Sequence, residues 1–347
     1  MKKNKLLWPI ISVLTVVLLG VFFFLPLPYF VESPGPVVNL STFVTVENTK
    51  DEQSGSFNIT TVREREATPF FLLMAKFTSF NEIYSKQEVL GDATTAEYNQ
   101  MNAYFMTSSQ NAAKVEALKL ANKEYQMTFK GVYVMSINEK SDFIHHISIG
   151  DTVTAVDGHT FESSADMIKY IRGLKVGQEV KVTFISNGQE KEATGKLMQL
   201  PESNYPGIGI SLVDNTQITS DTNITFNSGG IGGPSGGLML TLETYVQLTN
   251  NDLRKGRMIA GTGTMDFEGN VGRIGGIDKK VVSASRQGAV LFFAPDDEIT
   301  PEMKKANPNI KSNYQEALAA AKKINTNMKI VPVRTVQDAI DYLKQNN

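Results

Sequence analysis

The chain begins with a long apolar run and then settles into the alternating patterns of folded domains. Residues 6–31 carry no charged side chain. As a helix they would extend about 39 Å, more than the roughly 30 Å hydrocarbon core of a bilayer. Pro26 and Pro28 end that helix, which leaves a span near residues 6–25. Residues 37–46 and 56–62 read as strands of a hairpin around a polar turn at 48–55. Residues 70–77 and 96–121 read as helices, the second opened by a capping box of Thr94 and Glu97. From residue 125 to about 200 short strands and turns take over. Strands are expected at 130–135, 149–158, 178–187 and 191–197, with a helix at 163–174 and a turn at Asn187-Gly188. Towards the C-terminus helices and strands alternate: a strand at 289–294, a helix at 314–324, a strand at 329–333 and a helix at 336–343. The expected class is therefore α/β (α+β), interrupted by a mainly-β module and preceded by one transmembrane helix.

Charge gives that first helix a direction. Lys2, Lys3 and Lys5 precede it and no acid does, so the N-terminus is expected in the cytoplasm and everything after the span outside. A cleaved signal peptide is the alternative, and it needs small residues at the cleavage site. The first alanine is Ala67, and only Ser33 and Gly35 are small just past the span. Phe22–Phe24 with Tyr29 and Phe30 suit the interfacial end of a retained single-pass anchor in the cell membrane. Elsewhere the composition is globular, 41% hydrophobic and 20% charged, and a net charge of −2 speaks against a nucleic-acid partner.

Candidate chemistry centres on Ser235. It sits in Ser228-Gly-Gly-Ile-Gly-Gly-Pro-Ser235-Gly-Gly237, just before an apolar segment that reads as a helix. Glycines permit close backbone approach, and free N–H groups at a helix start can hold an oxyanion. The serine needs a base. All three histidines, His145, His146 and His159, lie far upstream, where exposed loop positions are the simpler reading than a metal site. The chain has no cysteine, which excludes a thiol nucleophile, and no His-Glu-x-x-His zinc motif. Lysine is the remaining common base for serine. In Ile274-Gly-Gly-Ile-Asp-Lys-Lys-Val-Val-Ser-Ala-Ser-Arg-Gln-Gly288, helical spacing puts Ile277, Lys280, Val281 and Ala284 on one face. Lys280 then points to the core, where burial favours the neutral amine. Lys279 falls with Ser283 and Arg286 on the opposite face and is expected to stay charged in solvent. The Walker string Gly-x-x-x-x-Gly-Lys-Ser/Thr occurs nowhere, so no nucleotide-driven unfolding and no cofactor are expected. A glycine loop that merely turns the chain stays open for Ser235 taken alone.

Gly-Pro-Ser235-Gly-Gly, Thr262-Gly263 and Gly-Gly-Ile-Asp-Lys-Lys280, in that order, resemble the proteolytic domain of Lon-type serine-lysine proteases along most of residues 205–347. The resemblance implies that Ser235 is the nucleophile, Lys280 the general base and Thr262 the residue that orients the amine. Gly233, Pro234 and Gly236 then shape the loop. Two positions depart from the family pattern. Gly232 stands where these enzymes often carry an aspartate, and Gly236 replaces an alanine.

Residues 125–200, with Gly150-Asp-Thr-Val-Thr-Ala-Val-Asp-Gly158, resemble a PDZ domain. Such domains bind an extended peptide at a sheet edge. The expected peptide-binding strand is 130–135, with Gly131, Val132, Tyr133 and Val134 as backbone donors and the 163–174 helix as the other wall. The expected division is a cytoplasmic tip and anchor at 1–31, a first part of the protease domain at 36–124, the PDZ domain at 125–200 and the catalytic part at 201–347. Insertion of the PDZ domain into the protease domain is the favoured layout, and plain tandem order the alternative. The layout resembles the anchored PDZ–Lon-like proteases of Gram-positive bacteria, whose streptococcal members process secreted signalling peptides. That resemblance implies an ATP-independent serine endopeptidase acting on extracellular peptides. A catalytically inert peptide-binding scaffold is the rival.

Overall fold

The computed structural model describes residues 7–47, 51–201 and 203–346. The first helix, Leu7–Phe24, carries no charged side chain and ends shortly before Pro26. Among the described residues, no helix is long and apolar enough to cross a membrane. This one rises about 27 Å. Lys2, Lys3, Lys5 and Leu6, on which the orientation and start of the expected span rest, lie outside the described residues.

A six-stranded mixed sheet joins the N-terminal strands to the C-terminal part of the chain. Its order is Lys329–Val333, Leu291–Pro295, Met258–Gly261, Ser56–Glu66, Tyr29–Asn39 and Glu82–Ser85. The first four strands run parallel, and the last two are antiparallel to their neighbours. Residues 29–85 thus share one sheet with residues 258–333, although a second sheet lies between them in sequence. The expected hairpin is redrawn. Ser56–Glu66 pairs with Tyr29–Asn39, because residues Tyr29 to Pro34 extend the strand toward the apolar helix. Val44–Val46 turns away after a 3-10 turn, Leu40–Thr42, and pairs with Ile224–Phe226 instead. Residues 48–50 of the expected turn lie outside the described residues.

The helix Gly237–Thr249 is buried on every side over its first ten positions. It packs among the sheet, the C-terminal helix Val336–Gln345 and the long helix Thr95–Leu120. That helix has Thr94 as its N-cap with Glu97 completing the capping box. Its alanines Ala112, Ala113 and Ala117 let the serine helix approach closely. Gly237 is required there, because a Cβ would lie 2.6 Å from the Cβ of Met265.

The second sheet is antiparallel, in the order Ile210–Thr219, Gln126–Ile137, Thr152–Val156, Glu179–Ser186 and Gln189–Lys196. One helix, Ser164–Arg172, closes its core through Met167 and Ile171. Hydrogen bonding therefore does not change at residue 200, the expected boundary. Residues 210–219 form the edge strand of this sheet, and the long helix covers the C-terminal half of that edge, where Asn111 Nδ2 donates to the carbonyl of Thr216 at 2.8 Å.

Candidate active site

Ser235 lies directly before the serine helix, whose N-cap is Gly236. Two segments hold the loop in front of it. From the long helix, the Asn102 carbonyl accepts the N–H of Gly233 at 2.8 Å, and Ser109 Oγ donates to the Pro234 carbonyl at 3.1 Å. From the strand end at residues 262–263, Gly263 N–H and Thr262 Oγ1 both donate to the Ser235 carbonyl, at 2.9 and 3.0 Å. The departure at Gly232 lies at a crowded point. A side chain there would start 3.0 Å from the Cβ of Asn102, a tight approach that an aspartate could take only if the long helix gave way by a few tenths of an ångström.

Lys280 comes from the helix Ile277–Arg286. Its N-cap, Gly276, has φ +64, and a Cβ there would sit 2.6 Å from Val62. Glycine meets both demands. Nζ of Lys280 lies 2.8 Å from Ser235 Oγ and 3.1 Å from Thr262 Oγ1. Since the Thr262 hydroxyl already donates to the Ser235 carbonyl, its lone pairs face the amine and can aim it. Lys280 is 3% exposed, and burial pushes its pKa down to about 7, against a weaker upward pull from Glu32. The structure thus brings Ser235, Lys280 and Thr262 into one cluster. Neither the Ser235 nor the Gly236 N–H is taken by a backbone carbonyl among the described residues, which leaves two donors at the helix start.

Lys279 departs from expectation. It is not in solvent: its exposure is 1%. The face opposite Lys280 packs against the strand Tyr29–Asn39, where Ser283 Oγ donates to the Gly35 carbonyl at 2.8 Å. Lys279 Nζ contacts Glu82 at 2.8 Å, Glu32 at 3.1 Å and Asp278 at 3.3 Å. Burial alone would lower its pKa, but the hydrogen bond to Glu82 and the charges of Asp278 and Glu32 more than offset that and hold it above the ordinary lysine value.

A cleft of about 1170 Å³ opens over the dyad, lined by Glu64, Tyr98, Asn102 and Met106 as well as Ser235 and Lys280. One wall is strand Ser56–Glu66. On the cleft side it pairs with Met258–Gly261 only as far as Ile59, so the edge from Thr61 to Glu64 is free to accept an extended chain.

The expected peptide-binding residues are not at an edge. Gly131, Val132, Tyr133 and Val134 lie in an interior strand, and both sides of it are hydrogen-bonded. One side faces Ile210–Thr219, with Gly131 opposite Asn215 and Val134 opposite Leu212; the other faces Thr152–Val156, with Val132 opposite Val153. A peptide cannot add there. The free edge beside the helix Ser164–Arg172 is the start of Ile210–Thr219. Beside it an apolar groove of about 150 Å³ runs between Ile208, Ile210 and Leu212 on one side and Met167, Ile168 and Ile171 on the helix. The overlooked signal was Tyr205-Pro-Gly-Ile-Gly-Ile210, a glycine-apolar alternation past the expected domain end. His145, His146 and His159 are exposed, and His159 packs on Tyr170 at 4.8 Å. The acidic run after Pro295 is structural: Asp297 accepts from Arg273 at 2.6 Å and from the Asn313 N–H at 2.6 Å.

Two protein families match the chain. Residues 210–343 match the Lon protease (S16) C-terminal proteolytic domain, and residues 108–197 match a PDZ domain. Similar curated proteins include the Lon protease of Rickettsia typhi, 32% identical over 139 residues, which cover 40% of this chain and 17% of that protein. The Lon protease of Rickettsia bellii is 29% identical over 124 residues, 35% of this chain and 14% of that protein. The chain therefore spans only a small part of the length of the curated relatives it matches. Among solved structures, the PDZ domain of an SdrC-like protein from Listeria monocytogenes is 38% identical, covering 25% of this chain and 90% of that one, with a TM-score of 0.24. The two domain matches and the Lon relatives support a PDZ-containing, Lon-like serine peptidase. The two ranges divide the molecule differently from its hydrogen bonds, which place residues 210–219 at the edge of the PDZ sheet.

Proposed function

We propose that this chain is a membrane-anchored, ATP-independent serine endopeptidase that cleaves peptides outside the cell, with maturation of a secreted signalling peptide as its role. The observation that carries the catalytic part is the 2.8 Å approach of a buried Lys280 amine to Ser235 Oγ. Neutral Lys280 takes the hydroxyl proton as Oγ attacks the scissile carbonyl. The N–H groups of Ser235 and Gly236 hold the oxyanion, and the Lys280 ammonium returns the proton to the leaving amine. Water, activated by the same amine, then releases the acyl group. Residues Thr61 to Glu64 pair with the substrate backbone and present the bond to Ser235.

The anchor rests on Leu7–Phe24. Its side chains are exposed over most of its length, with Trp8 at 74%, Val16 at 68% and Phe24 at 82%, and the protein meets it near its end, where Phe22 and Phe23 pack on Phe70. A span slightly shorter than the hydrocarbon core is accommodated by local thinning. The three preceding lysines orient it with the catalytic part outside. The PDZ domain captures a peptide C-terminus at residues 207–212, in place of the interior strand 131–134.

The test is to incubate full-length protein in nanodiscs with secreted peptides and map cleavage by mass spectrometry. Cleavage by wild type and none by Ser235→Ala supports the reading; equal cleavage by both sinks it. For the groove, Ile168→Lys should raise KM about tenfold for a peptide with a free C-terminus and leave kcat unchanged. The same rise for a C-terminally amidated peptide would count against C-terminal capture.

A further inference from the structure

The short helix Pro69–Phe77 carries more apolar surface than the fold uses. It starts at the N-cap Thr68, whose side chain accepts from Phe71 N–H. Its inner face packs Phe71, Leu72 and Ala75 against Val31 and Ala67. Its outer face is a second apolar stripe, Phe70, Leu73, Met74 and Phe77, at the i, i+3, i+4, i+7 spacing of one helix face. Phe77 is 79% exposed, Leu73 46% and Met74 44%. A soluble surface helix would carry polar residues on that side.

The stripe is continuous with the apolar helix at the chain start. Phe70 touches Phe23 at a ring separation of 5.0 Å and Phe22 at 5.9 Å. These phenylalanines end the helix Leu7–Phe24, next to the exposed Phe24 and Leu25. An apolar recess of about 460 Å³ extends the same surface over Leu27, Tyr29 and Ile83. Cations border it: Lys76 is exposed on the helix itself, and the Arg65 guanidinium lies 4.4 Å from the Phe71 ring. Apolar side chains flanked by Lys and Arg match the boundary between acyl chains and anionic headgroups.

We propose that Pro69–Phe77 is a second membrane element, lying in the outer interface beside the anchor and seating Leu73, Met74 and Phe77 among the acyl chains of an anionic bilayer. This rests on the anchor reading. The helix then joins the protease sheet to the bilayer at a second point, through Val31 and Ala67, so the catalytic cleft cannot swing freely on one tether.

The test uses the full chain in phosphatidylglycerol-containing nanodiscs, with lipids brominated near the headgroup end of their acyl chains as quenchers. Wild type has a single tryptophan, Trp8, which reports the anchor. In a Trp8→Phe background, Phe77→Trp moves the only indole to the helix, and Met74→Trp supplies a second position on the same stripe. The expected result is at least twofold quenching by the brominated lipids in all three proteins, with both stripe indoles shielded from aqueous iodide. Trp8 quenched but both stripe indoles unquenched and open to iodide overturns the proposal and leaves the anchor standing. Stripe indoles shielded from iodide yet unquenched by lipid would mean that another protein surface, such as a second copy, covers the helix, which also overturns it. An unquenched Trp8 overturns the anchor reading and this proposal with it.

Discussion

Lys279 and Lys280 are neighbours in the chain and almost equally removed from water, at 1% and 3% exposure, yet the two faces of their helix treat them in opposite ways. The face of Lys279 meets the N-terminal strands and offers three carboxylates. The face of Lys280 meets the serine loop and offers two hydroxyls, with Glu32 only as a distant charge. Burial therefore does not by itself make a base. Burial without an anionic partner does, because only then is the ammonium left uncompensated. Glu32 connects the two sites: it contacts Lys279 and also lines the cleft with Lys280. Lys279 thus pairs with the carboxylate that pulls the Lys280 pKa up.

The largest effect expected from breaking this contrast is on chemistry. Lys280→Met should lower kcat/KM by about 10⁴-fold, as Ser235→Ala should, with far-UV circular dichroism unchanged. Retention of more than a tenth of the activity by Lys280→Met would mean that another group is the base.

Lys279→Met should act mainly on stability. It leaves Glu32, Glu82 and Asp278 without their shared cation, and unfolding in urea should report a loss of about 2–3 kcal/mol. Activity should survive, but with Glu32 no longer neutralised the pH–rate profile should move about one unit alkaline. An unmoved profile would disconnect Glu32 from Lys280.

A smaller and opposite displacement is expected for Glu32→Gln. Besides Glu32, the charged and titratable groups around the dyad include Arg63, Glu64 and Arg273 on the cleft walls, Tyr98 from the long helix, and Asp278 and Lys279 on the lysine helix itself. Removing Glu32 takes away the one charge that pulls the Lys280 pKa up. The profile should therefore shift to lower pH, by less than about one unit.

Stability should follow the same logic. The folded pKa of Lys280, about 7, lies below its unfolded value near 10.5. Between these values the unfolded chain binds the extra proton, so Lys280 makes stability rise with pH across that window. Lys280→Met should flatten the rise in a urea-denaturation series; an unchanged slope would mean that Lys280 keeps an ordinary pKa in the fold.

Much of this site is written locally in the sequence. The glycine loop, the apolar helix after it and the i, i+3, i+4 spacing of Lys280 with Ile277 and Val281 need no distant information. The fate of Lys279 does, because helical spacing shows which face a side chain takes and not what packs there. Its cover comes from Glu32 and Glu82, roughly two hundred residues upstream. Strand pairing was hidden for a similar reason. Residues 130–135 look the same as an edge or an interior strand, and only the return of residues 210–219 beside them decides which they are. The crowding of a side chain at Gly232 by Asn102 likewise depends on a contact between segments far apart in the chain.

The most direct test of a lysine base is the pH dependence of kcat/KM for the wild-type enzyme on one defined peptide. Protonated Lys280 cannot accept the Ser235 proton, so the rate should rise about tenfold per pH unit below pH 7 and level off above it. A rate that stays flat from pH 5 to 9, about four units across the Lys280 pKa, would contradict the dyad.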